Sequence, residues 1–185
     1  MTAGSSQLLD LVPMRRGHFA YESGHHGDLW LDLDRLFARP HQLQPYVAQL
    51  ASQLRPYGPE VVCGPLLGGA FVAQAVAAEL AVSFCYSARV GGSYEVPVAF
   101  APVLAGRRVA VVDDAINAGT AVLGTAAAVR GHGGRLSVAG ALLLLGTPAA
   151  LGVPVEHLTA LPSALWTVAG CPLCQAGTPL DHPPS

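Results

Sequence analysis

The sequence predicts an α/β fold with a mostly parallel central sheet, flanked by helices, and a small N-terminal hood. Apolar segments of strand length alternate with segments of helical spacing across residues 60–145, which is typical of parallel strands joined by right-handed crossovers. Residues 1–55 do not follow this alternation, so we expect them to cap the core as a hood. The chain has 185 residues and is 51% hydrophobic, which suits a single domain over residues 1–185 with a core of its own.

The hood is predicted from strand-like alternation followed by one amphipathic segment. Its expected elements are a helix over residues 6–12, strands over 17–21 and 29–33 joined by a turn over 22–28, and a helix over 41–54 that ends at the prolines of 56–59. The last helix is indicated by Leu43, Val47 and Leu50, whose spacing places them on one face.

The core is predicted from short apolar runs separated by glycine-containing turns. In chain order we expect a strand over 60–64, a turn over 65–69, a helix over 70–80, a strand over 82–86, a Gly-rich loop over 88–93, a returning strand over 94–100, a strand over 108–112, a loop over 115–119, a helix over 120–131 and a strand over 136–145. Residues 146–185 are rich in proline and glycine, and we expect a C-terminal tail there with one apolar element at 164–168.

Charge and composition exclude several classes of function. Ten basic and twelve acidic residues give a net charge of −2, which does not suit general nucleic-acid binding. All ten basic residues are arginine, so a Schiff-base lysine or a Walker lysine is excluded. No apolar run reaches the roughly 18–20 residues of a membrane span, and the N-terminus has no signal pattern. We therefore expect a cytoplasmic protein with no membrane partner.

The strongest chemical signal is an apolar strand that ends in two acids and leads into a helix. Residues 109–112 are apolar, Asp113 and Asp114 follow, and the small residues of 115–119 precede a helix that begins at Thr120. Ligands of open α/β sheets bind at the carboxyl ends of strands, and a helix N-terminus presents N–H groups to an anion. Adjacent carboxylates would repel phosphate but suit sugar hydroxyls or a divalent cation. The segment predicts a sugar-phosphate site; the alternative is a plain strand–turn–helix with capping acids.

This segment resembles the phosphoribosyl-pyrophosphate (PRPP) motif of type I phosphoribosyltransferases, which has four apolar residues, two acids, four variable residues and Gly-Thr. Gly17-His18-Phe19 with Ser23-Gly24, and the run Val61-Val62-Cys63-Gly64-Pro65-Leu66-Leu67-Gly68-Gly69, resemble the orotate phosphoribosyltransferase branch. Order and spacing match across residues 16–145, and Cys171-Pro172-Leu173-Cys174 with Gly177 and Pro179 resembles the end of some bacterial members. The resemblance implies the type I phosphoribosyltransferase core, a homodimer, and a place in nucleotide metabolism, in pyrimidine biosynthesis.

The resemblance also implies a role for each site residue. Asp113 and Asp114 would bind the ribose hydroxyls. Residues 118–120 would surround the 5′-phosphate, within a set of PRPP-binding residues that comprises Ala115, Asn117, Ala118, Gly119, Thr120 and Ala121. The pyrophosphate loop would be formed by Pro65, Leu66, Leu67, Gly68 and Gly69. Glycine suits such a loop because backbone can approach an oxyanion where no Cβ intervenes, although Gly68-Gly69 alone is also typical of a turn before a helix.

The implied reaction displaces pyrophosphate from the anomeric carbon of PRPP by a ring nitrogen of a base. Mg²⁺ would bridge the pyrophosphate and would have no direct protein ligand. The transition state is oxocarbenium-like, so positioning and charge stabilisation would dominate catalysis, with Asp113, Asp114 and Arg89 as the catalytic residues. Arg89 is expected on a mobile loop beside the pyrophosphate; the alternative is a solvated surface arginine.

The chain departs from the orotate pattern on the leaving-group and base side. Orotate enzymes carry a lysine where this chain has Glu22, and often another where it has Gly68. Their catalytic loop has lysines and a His-Gly pair after its arginine, whereas no cation follows Arg89 here. The arginine that grips the orotate carboxylate in the family corresponds to Gly146.

Three further features each allow more than one interpretation. Phe19, Trp30 and His26 are candidates for the base pocket, and Trp30 is equally typical of a core. His25 and His26 with Asp28 suit a metal, a base contact or a polar hairpin turn. Cys171 and Cys174 have zinc-knuckle spacing, but a structural zinc needs four ligands, and we expect a second pair only from a dimer mate or from His182.

We therefore predict an orotate-phosphoribosyltransferase-like enzyme that uses PRPP, Mg²⁺ and a nitrogenous base. The alternative from another class is a non-catalytic PRPP- or nucleotide-binding paralogue that acts as a sensor or regulator. A third possibility is an enzyme for a different base, with Tyr94, Glu95 and Trp30 shaping the pocket.

Overall fold

In the computed structural model, which describes residues 3–21, 23–146 and 150–182, the chain forms two sheets and the helices that cover them. The strands are β1 (Met14–Ala20), β2 (His25–Leu31), β3 (Val61–Pro65), β4 (Ser83–Val90), β5 (Ser93–Glu95), β6 (Arg108–Ile116), β7 (Arg135–Leu144), β8 (Val155–Ala160) and β9 (Leu165–Thr167). The α-helices are α1 (Ala3–Asp10), α2 (Asp34–Phe37), α3 (Pro40–Leu54), α4 (Gly68–Leu80), α5 (Ala101–Leu104), α6 (Thr120–Gly131) and α7 (Pro172–Gln175). Short 3-10 helices lie at Arg55–Tyr57, Val98–Phe100 and Val168–Gly170.

Within the described ranges, the main sheet has six strands in the order β5-β4-β3-β6-β7-β8. The strands from β4 to β8 in this order pair in parallel, and β5 pairs antiparallel with β4 at one edge. The second sheet, which we call the hood sheet, has the antiparallel order β1-β2-β9. The predicted mostly parallel sheet and N-terminal hood are thus both present.

The inner strands of the main sheet are buried on both faces, as parallel strands require. On one face, Val62 and Val112 pack with α3 and α4. On the other face, Val61 and Val111 pack with α6. Proline occupies the first position of α3, where its missing N–H costs nothing.

Several element boundaries differ from prediction. Strand β4 continues to Val90, the returning strand ends at Glu95, and β6 continues past the acids to Ile116. Strand β2 begins at His25, so the expected turn over 22–28 is wrong and both histidines lie in a strand. The helix predicted over 120–131 is confirmed by α6.

The C-terminal segment contributes more structure than one apolar element. Strand β8 adds to the edge of the main sheet, and β9 pairs with β2 of the hood sheet. Strand β8 carries Glu156 and His157 and is only half-buried. The alternation of apolar and polar residues that indicates a strand is therefore too weak there to be recognised in the sequence. None of the helices in the described ranges is long and apolar enough to cross a membrane.

The topology brings two loops together at one edge of the sheet. Strands β3 and β6 are parallel neighbours, with Val61 opposite Val109 and Cys63 opposite Val111. The segments that follow their carboxyl ends therefore meet above the sheet, where open α/β folds bind ligands.

Candidate active site

The two predicted acids lie at the end of β6. Asp113 is 7% exposed and Asp114 is half-buried. The Asp114 backbone N–H donates to Asp113 Oδ1 over 3.0 Å, and the Ala115 N–H donates to Asp114 Oδ1 over 2.7 Å. Each carboxylate is thus oriented by the backbone that follows it.

The loop after β3 lies directly against these carboxylates. A Cβ built at Gly68 would overlap Asp114 Oδ2, and one built at Gly69 would overlap Asp113 Oδ1. A side chain at either position would therefore displace a carboxylate, so these glycines have a packing role beyond that of a simple turn. The Leu66–Leu67 peptide bond of this loop is cis, and Leu67 is 71% exposed.

Burial raises the pKa of both carboxyls. The pKa of Asp113 lies well above its usual range because the negative charge of Asp114 adds to the effect of burial. Burial likewise raises the pKa of Asp114, although the Ala115 N–H bond opposes this. Two adjacent buried carboxylates repel each other, so the pair favours a partner that supplies hydroxyl donors or positive charge.

The start of α6 forms the second half of the site. Gly119 precedes the helix with a φ of 82°, a conformation that favours glycine, and it lets the chain turn from β6 into α6. The first N–H groups of an α-helix lack intrahelical partners and suit an anion. Asn117 Oδ1 beside this turn is buried and has no hydrogen-bond partner among the described residues.

A cavity of about 590 Å³ joins these parts. Its lining includes both acids, every residue from Ala115 to Ala121, and side chains of the hood sheet and the β4–β5 hairpin. The residues predicted around the ribose and the 5′-phosphate therefore lie on one cavity. The predicted pyrophosphate loop, residues 65–69, does not line this cavity; its Gly68 and Gly69 lie against the two carboxylates.

Arg89 lies in a strand, so the predicted Gly-rich loop over 88–93 is wrong. Arg89 pairs with Tyr94 of β5 across a two-residue turn at Gly91 and Gly92, whose φ values are 55° and 92°. Such hairpin turns need positive φ, which glycine adopts without strain. Arg89 is exposed and lines the cavity, and the Tyr94 ring packs so closely on α6 that a Cβ at Gly124 would overlap it.

The hood sheet supplies the opposite wall. Trp30, His25 and Tyr21 line the cavity, and the Tyr21 and Trp30 rings stack with their centroids 6.4 Å apart. Tyr21, which sequence reasoning missed, folds back over Gly27 and donates a hydrogen bond to the Leu29 carbonyl. The available signal was Gly27 itself, because a glycine in a strand often marks the close approach of another group.

Two other candidates for the base pocket lie behind this wall. Phe19 is buried, and its ring centroid lies 6.4 Å from that of Trp30. The His26 side chain is buried beside His18, Cys171 and Cys174. Glu22 lies outside the described residues.

The two arginines of β1 are already paired. Arg16 binds Asp28 over 2.7 Å, and Arg15 binds Asp181 over 3.1 Å. Gly146 lies close to Asn117, because a Cβ built there would come within 2.8 Å of Asn117 Oδ1. Among the described side chains that line the cavity, the basic ones are Arg89 and His25.

Comparison with known proteins finds one family model and several relatives that match most of the chain. The model of the phosphoribosyl transferase domain family matches residues 39–173. An orotate phosphoribosyltransferase from Caldanaerobacter subterraneus subsp. tengcongensis is 30% identical over 95% of this chain and 92% of its own length. One from Thermotoga maritima is 30% identical over 93% of this chain and 92% of its own length.

Solved structures show the same fold. The orotate phosphoribosyltransferase from Aeropyrum pernix superposes with a TM-score of 0.65 at 22% identity, over 87% of this chain and 94% of its own. The adenine phosphoribosyltransferase from Thermoanaerobacter pseudethanolicus superposes with a TM-score of 0.67 at 18% identity, over 84% of this chain and 99% of its own.

Proposed function

The chain belongs to the phosphoribosyl transferase domain family, and from this we propose that it transfers the 5-phosphoribosyl group of PRPP to a ring nitrogen of a nitrogenous base. The family and the type I fold expected from the sequence are confirmed. The chain is an orotate-phosphoribosyltransferase-like enzyme by its relatives. No observation on the described residues favours the non-catalytic alternative.

One arrangement supports this proposal most directly. The buried pair Asp113 and Asp114 lies between the glycines of the β3–α4 loop and the N-terminus of α6. The carboxylates suit the ribose hydroxyls, the helix N-terminus suits the 5′-phosphate, and the backbone of Gly68 and Gly69 suits the pyrophosphate. These three chemistries occur together in PRPP.

In the proposed reaction the protein acts mainly by position and charge. The ring nitrogen of the base forms a bond to the anomeric carbon as the bond to pyrophosphate breaks. Asp113 and Asp114 would orient the ribose and stabilise the positive charge that develops on it. Arg89, which lines the same cavity, would stabilise the departing pyrophosphate through its planar guanidinium.

Magnesium fits the oxygen-rich chemistry of this site. The carboxylates of Asp113 and Asp114, and Asn117 Oδ1, which has no hydrogen-bond partner among the described residues, are hard oxygen donors of the kind Mg²⁺ prefers. We propose that Mg²⁺ would be held chiefly by the pyrophosphate of PRPP and would supply positive charge there, with Asp113 and Asp114 binding the ribose.

The first experiment measures the affinity for Mg-PRPP by titration calorimetry. Asp114→Ala should weaken binding at least ~10-fold, because a hydrogen bond to a charged group contributes about 1.5–3 kcal/mol. Asp10→Ala, which removes an exposed acid at the end of α1, is the matched control and should bind as wild type. Unchanged affinity in Asp114→Ala would reject the assigned site.

The second experiment measures PRPP consumption by the wild-type protein against a panel of purine and pyrimidine bases. We expect pyrophosphate release with at least one base. Release with none of them, from a protein that binds Mg-PRPP, would contradict a transferase.

We also propose a homodimer. The family resemblance supports it, and so do the exposed apolar side chains of Leu67 and Phe71 near the start of α4, since such side chains favour an interface. Light scattering should give twice the mass of one chain, and the mass of a monomer would contradict the proposal.

A further inference from the structure

Two imidazoles and two thiols converge at one point outside the cavity. His18 on β1, His26 on β2, and Cys171 and Cys174 at the start of α7 place their ligand atoms within 4.8 Å of one another. Three of the four residues are buried, and Cys174 is exposed at the rim. The residues come from the two ends of the chain, with 153 positions between His18 and Cys171.

The individual distances are short and similar. His18 Nε2 lies 3.1 Å from His26 Nδ1, 3.3 Å from Cys171 Sγ and 3.6 Å from Cys174 Sγ. His26 Nδ1 lies 3.2 Å from Cys174 Sγ. A tetrahedral zinc ion with ordinary Zn–N and Zn–S bonds separates its ligands by about 3.3 Å for two nitrogens and about 3.6 Å for nitrogen and sulfur. These four distances are therefore close to the spacing of a zinc tetrahedron, and the remaining two pairs of ligand atoms lie within 4.8 Å of each other.

A partner outside the cluster orients one of the imidazoles. His18 Nδ1 donates to the Thr178 carbonyl over 2.9 Å, which leaves the lone pair of Nε2 directed at the other three atoms. Zinc-bound histidines usually donate their second ring N–H in this way, and the bond sets both tautomer and ring orientation.

We propose that His18, His26, Cys171 and Cys174 bind one Zn²⁺ ion as a structural site. Thiolate and imidazole ligands select zinc, and four protein ligands leave no open position for a substrate. The site is separate from the acidic pair and does not depend on the proposed function. The second ligand pair expected from a dimer mate or from His182 is a wrong prediction, because the pair comes from the hood of the same chain.

The position of the ion indicates what it does. It joins β1 and β2 to the segment that follows β9, where Asp181 already accepts a hydrogen bond from the Ala20 N–H over 3.0 Å. Strand β2 also carries His25 and Trp30, which line the cavity. Zinc would therefore lock the hood sheet and the C-terminus together and hold one wall of the active site.

The test begins with the metal content of the full-length protein. After purification without chelator, in a non-thiol reductant and with zinc supplied, mass spectrometry of the metal should find one zinc per chain. His25→Ala is the matched control, because His25 adjoins His26 in β2 but lies outside the cluster, and it should keep the ion. Cys174→Ser, at an exposed position, should lower zinc affinity at least ~100-fold, since loss of an outer-shell partner alone costs about 10- to 100-fold.

Cobalt binding gives a second measurement, and the wild-type protein alone can contradict the proposal in it. Replacement of zinc by Co²⁺ should give the visible bands of tetrahedral cobalt and a thiolate-to-cobalt charge-transfer band. Both should weaken in Cys174→Ser and persist in His25→Ala. Three results would each overturn the proposal. They are a wild-type protein that binds neither zinc nor cobalt, a Cys174→Ser protein with the zinc affinity of the wild type, and a Cys171–Cys174 disulfide that persists in the presence of the reductant.

Discussion

At the scale of single residues, the electrostatics of the site depend on two neighbouring carboxyls. Asp113 and Asp114 are adjacent in β6, the first buried and the second half-buried, and burial raises the pKa of each. Without a bound partner, their ionisation destabilises the folded protein. This unfavourable charge supports the proposal that the pair binds ribose hydroxyls together with a cation.

Asp113→Asn should raise the melting temperature at pH 7, without PRPP or Mg²⁺, by at least about 2 °C. In a chain of this size, a gain of about 1 kcal/mol in the free energy of unfolding gives such a shift. Since the pKa of Asp113 is raised in the folded state, the folded protein binds more protons than the unfolded chain above the unfolded pKa of about 3.9. The free energy of unfolding of the wild type therefore falls as the pH rises through the window between the unfolded and folded pKa values.

The stabilisation by Asp113→Asn should accordingly shrink as the pH is lowered toward about 4, where the wild-type carboxyl is protonated in the folded state. Thermal melts across the pH range measure this, with Asp10→Asn, an exposed acid, as the control expected to show no such trend. A variant that melts below the wild type at pH 7 would show that the pair is not strained.

Arg89→Ala should lower turnover and Mg-PRPP affinity by more than twofold. Its guanidinium lines the cavity, and among the described side chains His25 is the other basic group there. Steady-state kinetics and calorimetry measure both quantities, with Arg35→Ala, which removes an exposed Asp32-paired arginine, as the control. If both quantities stay within twofold, Arg89 is a solvated surface arginine.

At the scale of elements, the β4–β5 hairpin decides where Arg89 points. Its two-residue turn has positive φ at both Gly91 and Gly92, and register places Arg89 opposite Tyr94. The Tyr94 ring in turn packs on α6 at Gly124. The hairpin thus connects the guanidinium to the helix that begins at the proposed phosphate site.

Gly91→Val should reduce turnover severalfold, because a β-branched residue is strained at a φ of 55° and would distort the hairpin that carries Arg89. Gly91→Asn is the matched control, since asparagine tolerates this conformation, and it should retain activity. Equal activity of the two variants would mean that the hairpin geometry does not position Arg89.

At the scale of the whole molecule, the distribution of charge does not favour binding of an anionic base. The net charge is −2, lysine is absent, and the hood arginines Arg15 and Arg16 are paired with Asp181 and Asp28. Gly146 stands where the resemblance expects an arginine, and Asn117 fills the space beside it. A carboxylate that leaves water needs a paired cation or several donors.

Orotate should therefore be a poor substrate, with kcat/KM below ~10⁴ M⁻¹s⁻¹, the lower end of the usual range for enzymes. The measurement is the steady-state formation of orotidine 5′-phosphate, compared with uncharged bases in the same assay. Efficient formation of this product would contradict the prediction and would mean that Arg89, His25 or a released hood arginine binds the carboxylate.

The core of this protein and the acidic strand–turn–helix segment of the proposed PRPP site could be predicted from the sequence alone. Local signals suffice there: α6 begins at Thr120 and ends at Gly131 as predicted, and the acids precede it at the end of an apolar strand. Strand, acids, turn and helix lie within about twenty consecutive residues, so pattern and chemistry are read from one continuous segment.

Features that join distant segments depend on the tertiary structure. Arg89 lies in a strand because β4 pairs with β5. The C-terminal segment forms β8 and β9 because each of these strands pairs with the edge of a sheet. Gly68 and Asp114 are in contact although 46 positions separate them in the sequence, and the Cys/His cluster joins both ends of the chain. Such contacts depend on how the sheets pack, and no local period or spacing encodes that packing.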